Sequence, residues 1–368
     1  MRMLFSGGPA AGHVLPLMPI ADAARAAGIE TAMLTSGDLA PLVAPMRLLP
    51  AGPNVEALLA EAARRTGADA AQPGPAAVEL FAGVRPDLTY DEALRQAEEF
   101  APDLVVCEES DFVAPMVATV LGVPWVAHGI SGAVSGPLLD AMRDRLSEVY
   151  RSRSVTPAPR IALVDPYPDV LRPADDVPPG DRITLRPAAN EHGSEQTPWQ
   201  GVESDLPLAL VTVGTSVLDD AALSTLASSV AAAGFTVVVT ARADQLSADV
   251  DPRVHAVGWV PLAELLPTVD LVVTAGGTGT VLAVLAHGLP MVVRPFIADQ
   301  PWNAARLADL GAGIVIEDPA EAGDAARRIV EDPKYREAAR GAAAEMNAMN
   351  SPEEVLRQLL TLVGRSGE

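Results

Sequence analysis

Residues 270–293, DLVVTAGGTGTVLAVLAHGLPMVV, decide the fold. The run Leu271-Val272-Val273 is the kind of short β-branched segment that forms a strand buried on both faces. Glycines 276, 277 and 279 then make a turn, 281–287 reads as an apolar helix, and 291–293 opens a second buried strand. A strand, a helix and a strand in that order imply parallel pairing through a helical crossover. No Asp, Glu, Lys or Arg occurs from 271 to 293, which invites comparison with a membrane span. Four glycines, His287 and Pro290 interrupt it, so the strand–loop–helix–strand reading is preferred.

Outward from this segment the same alternation recurs. In the C-terminal half, strands are expected at 208–213, 235–240, 254–257, 271–273, 291–293 and 313–316. In the N-terminal half they are expected at 2–6, 30–34, 103–107 and 124–127, with helices at 15–27 (stopped by Gly28) and 113–121. Between the halves, 155–206 is rich in proline and weakly periodic, and its last part is polar. The chain therefore reads as α/β, with doubly wound domains over 1–190 and 207–350, a linker at 191–206, and a tail over 351–368 that is helical. In such sheets ligands sit beyond the carboxyl ends of the strands, so two facing sheets enclose a cleft between them.

The bulk numbers narrow the partners. The 368 residues carry a net charge of −22, which repels polyanions, so no nucleic acid and no anionic membrane is expected as a partner. The single cysteine, Cys107, excludes an intramolecular disulfide and a cysteine metal cluster, and its apolar flank marks it as structural. The first residues reach Gly7-Gly8 at once, without a signal-peptide core, so a cytoplasmic location is expected. The oligomeric state is left open, a homodimer included.

Three constellations carry chemistry. The first is Ser6-Gly7-Gly8-Pro9-Ala10-Ala11-Gly12-His13, where a tight turn after strand one delivers His13 to the start of a helix. A histidine there suits a general base that takes a proton from a hydroxyl. Equally, it fits a structural role at a helix start. Neither Gly-x-Gly-x-x-Gly nor Gly-Lys-Ser/Thr is present, so a dinucleotide fingerprint and a phosphate-binding P-loop are both excluded. A catalytic histidine needs an orienting carboxylate, and strand 103–107 ends in Glu108-Glu109-Ser110-Asp111. Asp111 and Glu108 are the candidates, Asp111 preferred, with helix capping as the competing role.

The second is the turn at 276–280. Backbone N–H groups of Gly276, Gly277 and Gly279, the helix N-terminus, and the hydroxyls of Thr278 and Thr280 suit a diphosphate without a metal. Gly214, Thr215 and Ser216 follow the first strand of that domain and are candidates for the same phosphates. Trp259, with Val260, is a candidate for stacking on a base, though Trp259 fits a core role as well. The third is Asp299-Gln300 at the start of a helix. A carboxylate beside a carboxamide can grip vicinal hydroxyls, and a helix N-cap is the plainer alternative for Asp299.

Together, "GHVLPLMPIADAARAAG" at 12–28, "GWVPLAELLPTVDLVVTAGGTGT" at 258–280 and "GLPMVVRPFIADQPWNAARLADLGAGI" at 288–314 resemble the GT-B natural-product glycosyltransferases of actinomycetes. Residues 40–100 and 140–200 match little. The resemblance implies an inverting, metal-independent transferase with no cofactor beyond its nucleotide-sugar co-substrate, commonly dTDP-linked and sometimes UDP-linked. It implies His13 as base, 277–280 as diphosphate site, Asp299-Gln300 as sugar clamp, and a tail helix that returns to the N-terminal domain. The acceptor would be a small hydrophobic aglycone, received by the alanine- and leucine-rich stretches around 58–90 and 131–142. The family usually has histidine where this chain has Ala275, which admits a non-catalytic auxiliary partner as a second reading. A lipid-linked N-acetylglucosamine transferase is disfavoured by the charge. A nucleotide-sugar 2-epimerase would need further carboxylates.

Overall fold

Thirteen strands among the described residues build two wholly parallel sheets. The protein is described here by a computed structural model covering residues 1–72, 74–132, 136–188, 199–214 and 219–366. Strands β1 (Arg2–Ser6), β2 (Glu30–Thr35), β3 (Arg47–Pro50), β4 (Leu104–Glu108), β5 (Trp125–His128), β6 (Ala162–Asp165) and β7 (Arg182–Thr184) form the first, in the order β3-β2-β1-β4-β5-β6-β7. Strands β8 (Leu208–Thr212), β9 (Thr236–Val239), β10 (Val254–Ala256), β11 (Leu271–Thr274), β12 (Met291–Val293) and β13 (Gly313–Val315) form the second, in the order β10-β9-β8-β11-β12-β13. In each sheet the strand order reverses beside its first strand, between β1 and β4 and between β8 and β11. Those are the points where a doubly wound sheet opens a crevice.

Burial explains the strand compositions. Leu208–Thr212 and Leu271–Thr274 are buried along their whole length, because helices cover both faces of a parallel sheet. In the first sheet one face packs Met3, Phe5, Val106 and Val126 against the helix Met18–Ala26. Val355, Leu356 and Leu359 of the last helix, Pro352–Ser366, complete that layer. The other face packs Leu4, Val105 and Cys107 against the helices Arg85–Phe100 and Ala114–Leu121.

Contacts divide the chain into two units. One comprises Met1–Pro166, Val177–Arg186 and Asn350–Glu368, and the other Tyr167–Asp176 and Pro187–Met349. The excursion Tyr167–Asp176 clusters with the second unit because Tyr167 and Leu171 are buried in its core. Much of the stretch expected as linker, 191–198, lies outside the described residues.

Several elements differ from expectation. β3, β6 and β7 were not anticipated: each lies among prolines, which read as loop. The helix expected from residue 15 begins at Ala11, passes through a 3₁₀ turn at Leu15–Leu17, and resumes at Met18. Among the described residues, no helix is long and apolar enough to cross a membrane.

Candidate functional site

At the β1/β4 reversal the turn after β1 wraps tightly on the helix that follows. A Cβ on Gly7 would stand 2.5 Å from the carbonyl oxygen of His13, so the close approach requires glycine there. The imidazole is brought against the end of β4, with Nδ1 3.0 Å from Glu108 Oε1. Glu108 is buried, while His13 keeps about a quarter of its side chain exposed (23%). The other carboxylate oxygen of Glu108 accepts from the Ser110 backbone N–H and from its hydroxyl, both at 2.6 Å. Burial pushes the Glu108 carboxyl up, but His13 and Arg85 together outweigh it, and the group is held below its ordinary range. An ionised carboxylate only accepts, so a neutral imidazole held here would carry its proton on Nδ1 and leave the Nε2 lone pair free. The Phe81 ring lies 5.8 Å from the imidazole, centre to centre.

Asp111 does not take the place expected for it. Its carboxylate accepts from Arg85 Nη1 at 2.7 Å, from the Ser6 hydroxyl at 2.5 Å, and from the N–H groups of Val113 and Ala114. These bonds anchor the start of the helix Ala114–Leu121 and leave Glu108 as the partner of His13. The physical reason is alternation along β4. Leu104, Val106 and Glu108 point to the face covered by the His13 helix, whereas Asp111 lies past the strand end among groups of the opposite layer. Arg85 was not singled out by sequence reasoning, because its role depends on a residue 26 positions away. Cys107 is buried, and burial raises its thiol well above the ordinary range, as suits a structural residue.

At the β8/β11 reversal, Gly276 has φ +89°, and a Cβ there would meet Val293 Cγ1 at 2.7 Å. Gly277 precedes the helix Thr278–Ala286, whose start receives no side-chain cap. Its first-turn N–H groups therefore lack a side-chain partner, at the positive end of the helix dipole. Gly279 is exposed and Thr280 half-buried, whereas the Thr278 hydroxyl donates to Asp299 Oδ2 at 2.5 Å. Asn303 Nδ2 reaches the Gly276 carbonyl (2.9 Å), Thr278 Oγ1 (3.0 Å) and Asp299 Oδ2 (3.0 Å), stapling turn to loop. Its carbonyl oxygen accepts from the Tyr167 hydroxyl. Asn303 was missed, although its place one helical turn after Asp299 was a usable signal.

The other expected donor residues fall unevenly. Gly214, φ +75°, lies two residues past the end of β8, and Thr215 and Ser216 lie outside the described residues. Trp259 is exposed, while the Val260 side chain belongs to the core. Asp299 makes no side-chain cap to its helix. Gln300 is buried, and its Oε1 accepts from the N–H groups of Phe296 and Ile297 at 2.8 and 2.9 Å. That oxygen is committed to holding the loop. Ala275 is buried. Among the described residues, no group of three or more His, Cys, Asp or Glu side chains converges as a metal-ligand set.

Comparison with known proteins gives a consistent picture. Residues 221–362 match the family described as "Erythromycin biosynthesis protein CIII-like, C-terminal domain". The elloramycin glycosyltransferase ElmGT of Streptomyces olivaceus is 30% identical over 99% of this chain and 98% of its own length. Among solved structures, the glycosyltransferase SnogD from Streptomyces nogalater is 30% identical with a TM-score of 0.82, covering 99% of each chain. SsfS6 of Streptomyces sp. SF2575, solved in complex with thymidine diphosphate, is 28% identical with a TM-score of 0.82, over 98% of this chain and 99% of its own.

Proposed function

The chain belongs to the actinomycete natural-product glycosyltransferases, nucleotide-sugar-dependent enzymes of the GT-B fold, and we propose that it transfers a deoxysugar from a thymidine-diphosphate donor to a hydroxyl of a small apolar aglycone, with inversion and with His13 as general base. The observation that carries this reading is the His13–Glu108 pair: a half-buried imidazole whose Nδ1 proton is fixed by a buried carboxylate, leaving Nε2 basic.

The acceptor O–H hydrogen-bonds to His13 Nε2. As the oxygen attacks the anomeric carbon, the proton passes to Nε2, the new C–O bond forms on the face opposite the departing diphosphate, and configuration inverts. Glu108 remains ionised and stabilises the imidazolium. Negative charge grows on the leaving diphosphate, which the uncapped N-terminus of the helix Thr278–Ala286 is suited to receive with N–H dipoles in place of a divalent metal. With Ala275 in the position where related enzymes carry histidine, this backbone cradle and Thr280 carry the diphosphate. Asp299, oriented by Thr278 and Asn303, contacts the sugar hydroxyls. The thymidine diphosphate bound to SsfS6 supports the choice of donor nucleotide.

The test is His13→Ala with a dTDP-deoxysugar and a panel of aglycones. Turnover should fall by ~10²–10⁴ while calorimetric affinity for dTDP stays within about twofold. The anomeric configuration of the wild-type product, read by NMR coupling constants, should be opposite to the donor's. Wild-type turnover in the variant would end the base assignment. A wild-type protein that binds no dTDP and transfers no sugar would favour the auxiliary-partner reading.

A further inference from the structure

The helix Arg85–Phe100 is preceded by a single widened turn, a π-helical segment at Leu80–Val84. This turn carries Phe81 beside the His13 ring and is followed at once by Arg85. Arg85 is 5% exposed and Asp111 is 1% exposed, and they meet at 2.7 Å. Glu108 is equally buried in the same cluster, and Arg85 interacts electrostatically with both carboxylates. Two buried carboxylates so near each other raise one another's proton affinity, and one of them would neutralise unless a cation were placed with them.

We propose that Arg85 is a positioning residue of the transfer reaction: its buried guanidinium balances Glu108 and Asp111 together, and this keeps the His13–Glu108 pair in its base-competent form. The proposal rests on His13 being the base. With His13 neutral, the cluster of Glu108, Asp111, Arg85 and His13 carries one net negative charge. After His13 takes the acceptor's proton the cluster is neutral, so the buried charge falls as the reaction proceeds.

The remaining titratable neighbours do not supply a substitute cation: Glu109, next to Glu108, is an acid whose carboxyl is pushed up to about 7, chiefly by burial. Cys107 on β4 and Tyr150 on the helix Gly136–Ser152 are both raised by burial and stay neutral. His128 on β5 is lowered to about 4 by burial and is also neutral. Asp165 on β6 is paired with Arg182 at 2.7 Å. Without Arg85, every proton in the cluster would bind more tightly. A protonated Glu108 would then donate to His13 Nδ1 and force the imidazole proton onto Nε2, where a base needs its lone pair.

The experiment is the pH profile of kcat/KM for wild type, Arg85→Lys, Arg85→Met and the double variant Arg85→Met/Asp111→Asn, with dTDP affinity measured alongside. Arg85→Met should move the acid limb up by about one pH unit or more, read as about tenfold lower kcat/KM on that limb, with activity recovering at higher pH. Arg85→Lys keeps the charge and should keep the limb in place. The double variant removes one charge of each sign and should return the limb toward wild type. dTDP affinity should be unchanged throughout. A folded Arg85→Met with the wild-type limb overturns the proposal, as does a double variant whose limb stays as displaced as the single variant's. If Arg85→Met does not fold, a limb displaced in Arg85→Lys or in the double variant overturns it equally. His13→Ala separates the two readings: if it is inactive while the Arg85 variants leave the limb unmoved, the base assignment stands and only the role of Arg85 falls.

Discussion

Replacing Glu108 by glutamine changes one atom and separates the two carboxylates near His13. In the native cluster one oxygen of Glu108 accepts from His13 Nδ1 at 3.0 Å, and the other accepts two bonds from Ser110 at 2.6 Å. All these partners are donors, and a carboxamide has a single acceptor oxygen. If that oxygen faces Ser110, the NH₂ group faces His13 and selects the tautomer with its proton on Nε2, which cannot accept the acceptor's proton. If it faces His13, the NH₂ group confronts the Ser110 N–H in a buried site. Either way the charge that stabilises the imidazolium is lost. The expected cost is ~10³–10⁴ in kcat, about 4–5.5 kcal/mol of barrier. The assay is single-turnover transfer at saturating dTDP-sugar, with circular dichroism to confirm folding and calorimetry to confirm that dTDP binding is intact. Asp111→Asn provides the contrast. It weakens the Arg85 pair and the anchoring of the helix Ala114–Leu121, so it should lower stability more than Glu108→Gln does. A folded Glu108→Gln enzyme retaining more than about a tenth of wild-type turnover would refute the assignment of Glu108 as the orienting group.

Further outcomes are expected elsewhere in the chain. Gly276→Ala places a Cβ 2.7 Å from Val293 Cγ1 at a residue with φ +89°, so it should cost about 1–3 kcal/mol by urea unfolding and weaken dTDP binding, and an unchanged variant would show that the turn readily relaxes. Titration with dTDP should give the same affinity with and without EDTA, and a marked loss on chelation would contradict a metal-free cradle. Burial holds His128 neutral, its folded value about 4 against 6.5 unfolded, and its Nε2 has no hydrogen-bond partner among the described residues. The unfolded chain alone takes up this proton between those values, so stability falls as pH drops from about 6.5 toward 4, by about 1.4 kcal/mol per unit. His128→Asn can keep a donor toward the Gly129 carbonyl and should lose about 2 kcal/mol less than wild type between pH 6.5 and 5, and equal losses in the two proteins would refute this account.

Much of this protein was legible in its sequence because the deciding signals are local. β-Branched runs such as those of β9 and β11 announce strands buried on both faces, and glycine turns announce where backbone must approach closely. The loops that carry His13 and residues 276–280 were legible in this way, since each follows its strand within a few residues. The segments that escaped notice, β3, β6 and β7, lie among prolines that read as loop, and they take their place from the strands beside them. Trp259 and Val260 are adjacent in sequence, yet one is exposed and the other buried, a difference set by the core that Val260 enters.

The choice between Glu108 and Asp111 shows where local signals stop. The sequence determined that an acidic loop follows β4 beside the histidine loop. Only the tertiary structure decided that β4 continues through Glu108, which turns that side chain toward His13, and that Arg85 and Ser6 claim Asp111. In the second unit, the glycines and threonines of the proposed cradle were readable. The binding of Asp299 and Thr278 to Asn303, and of Gln300 to its own loop, was not. The reason is physical: backbone conformation answers to nearest neighbours, whereas the partner of a buried charge or amide is whichever complementary group the packed sheet brings within 3 Å.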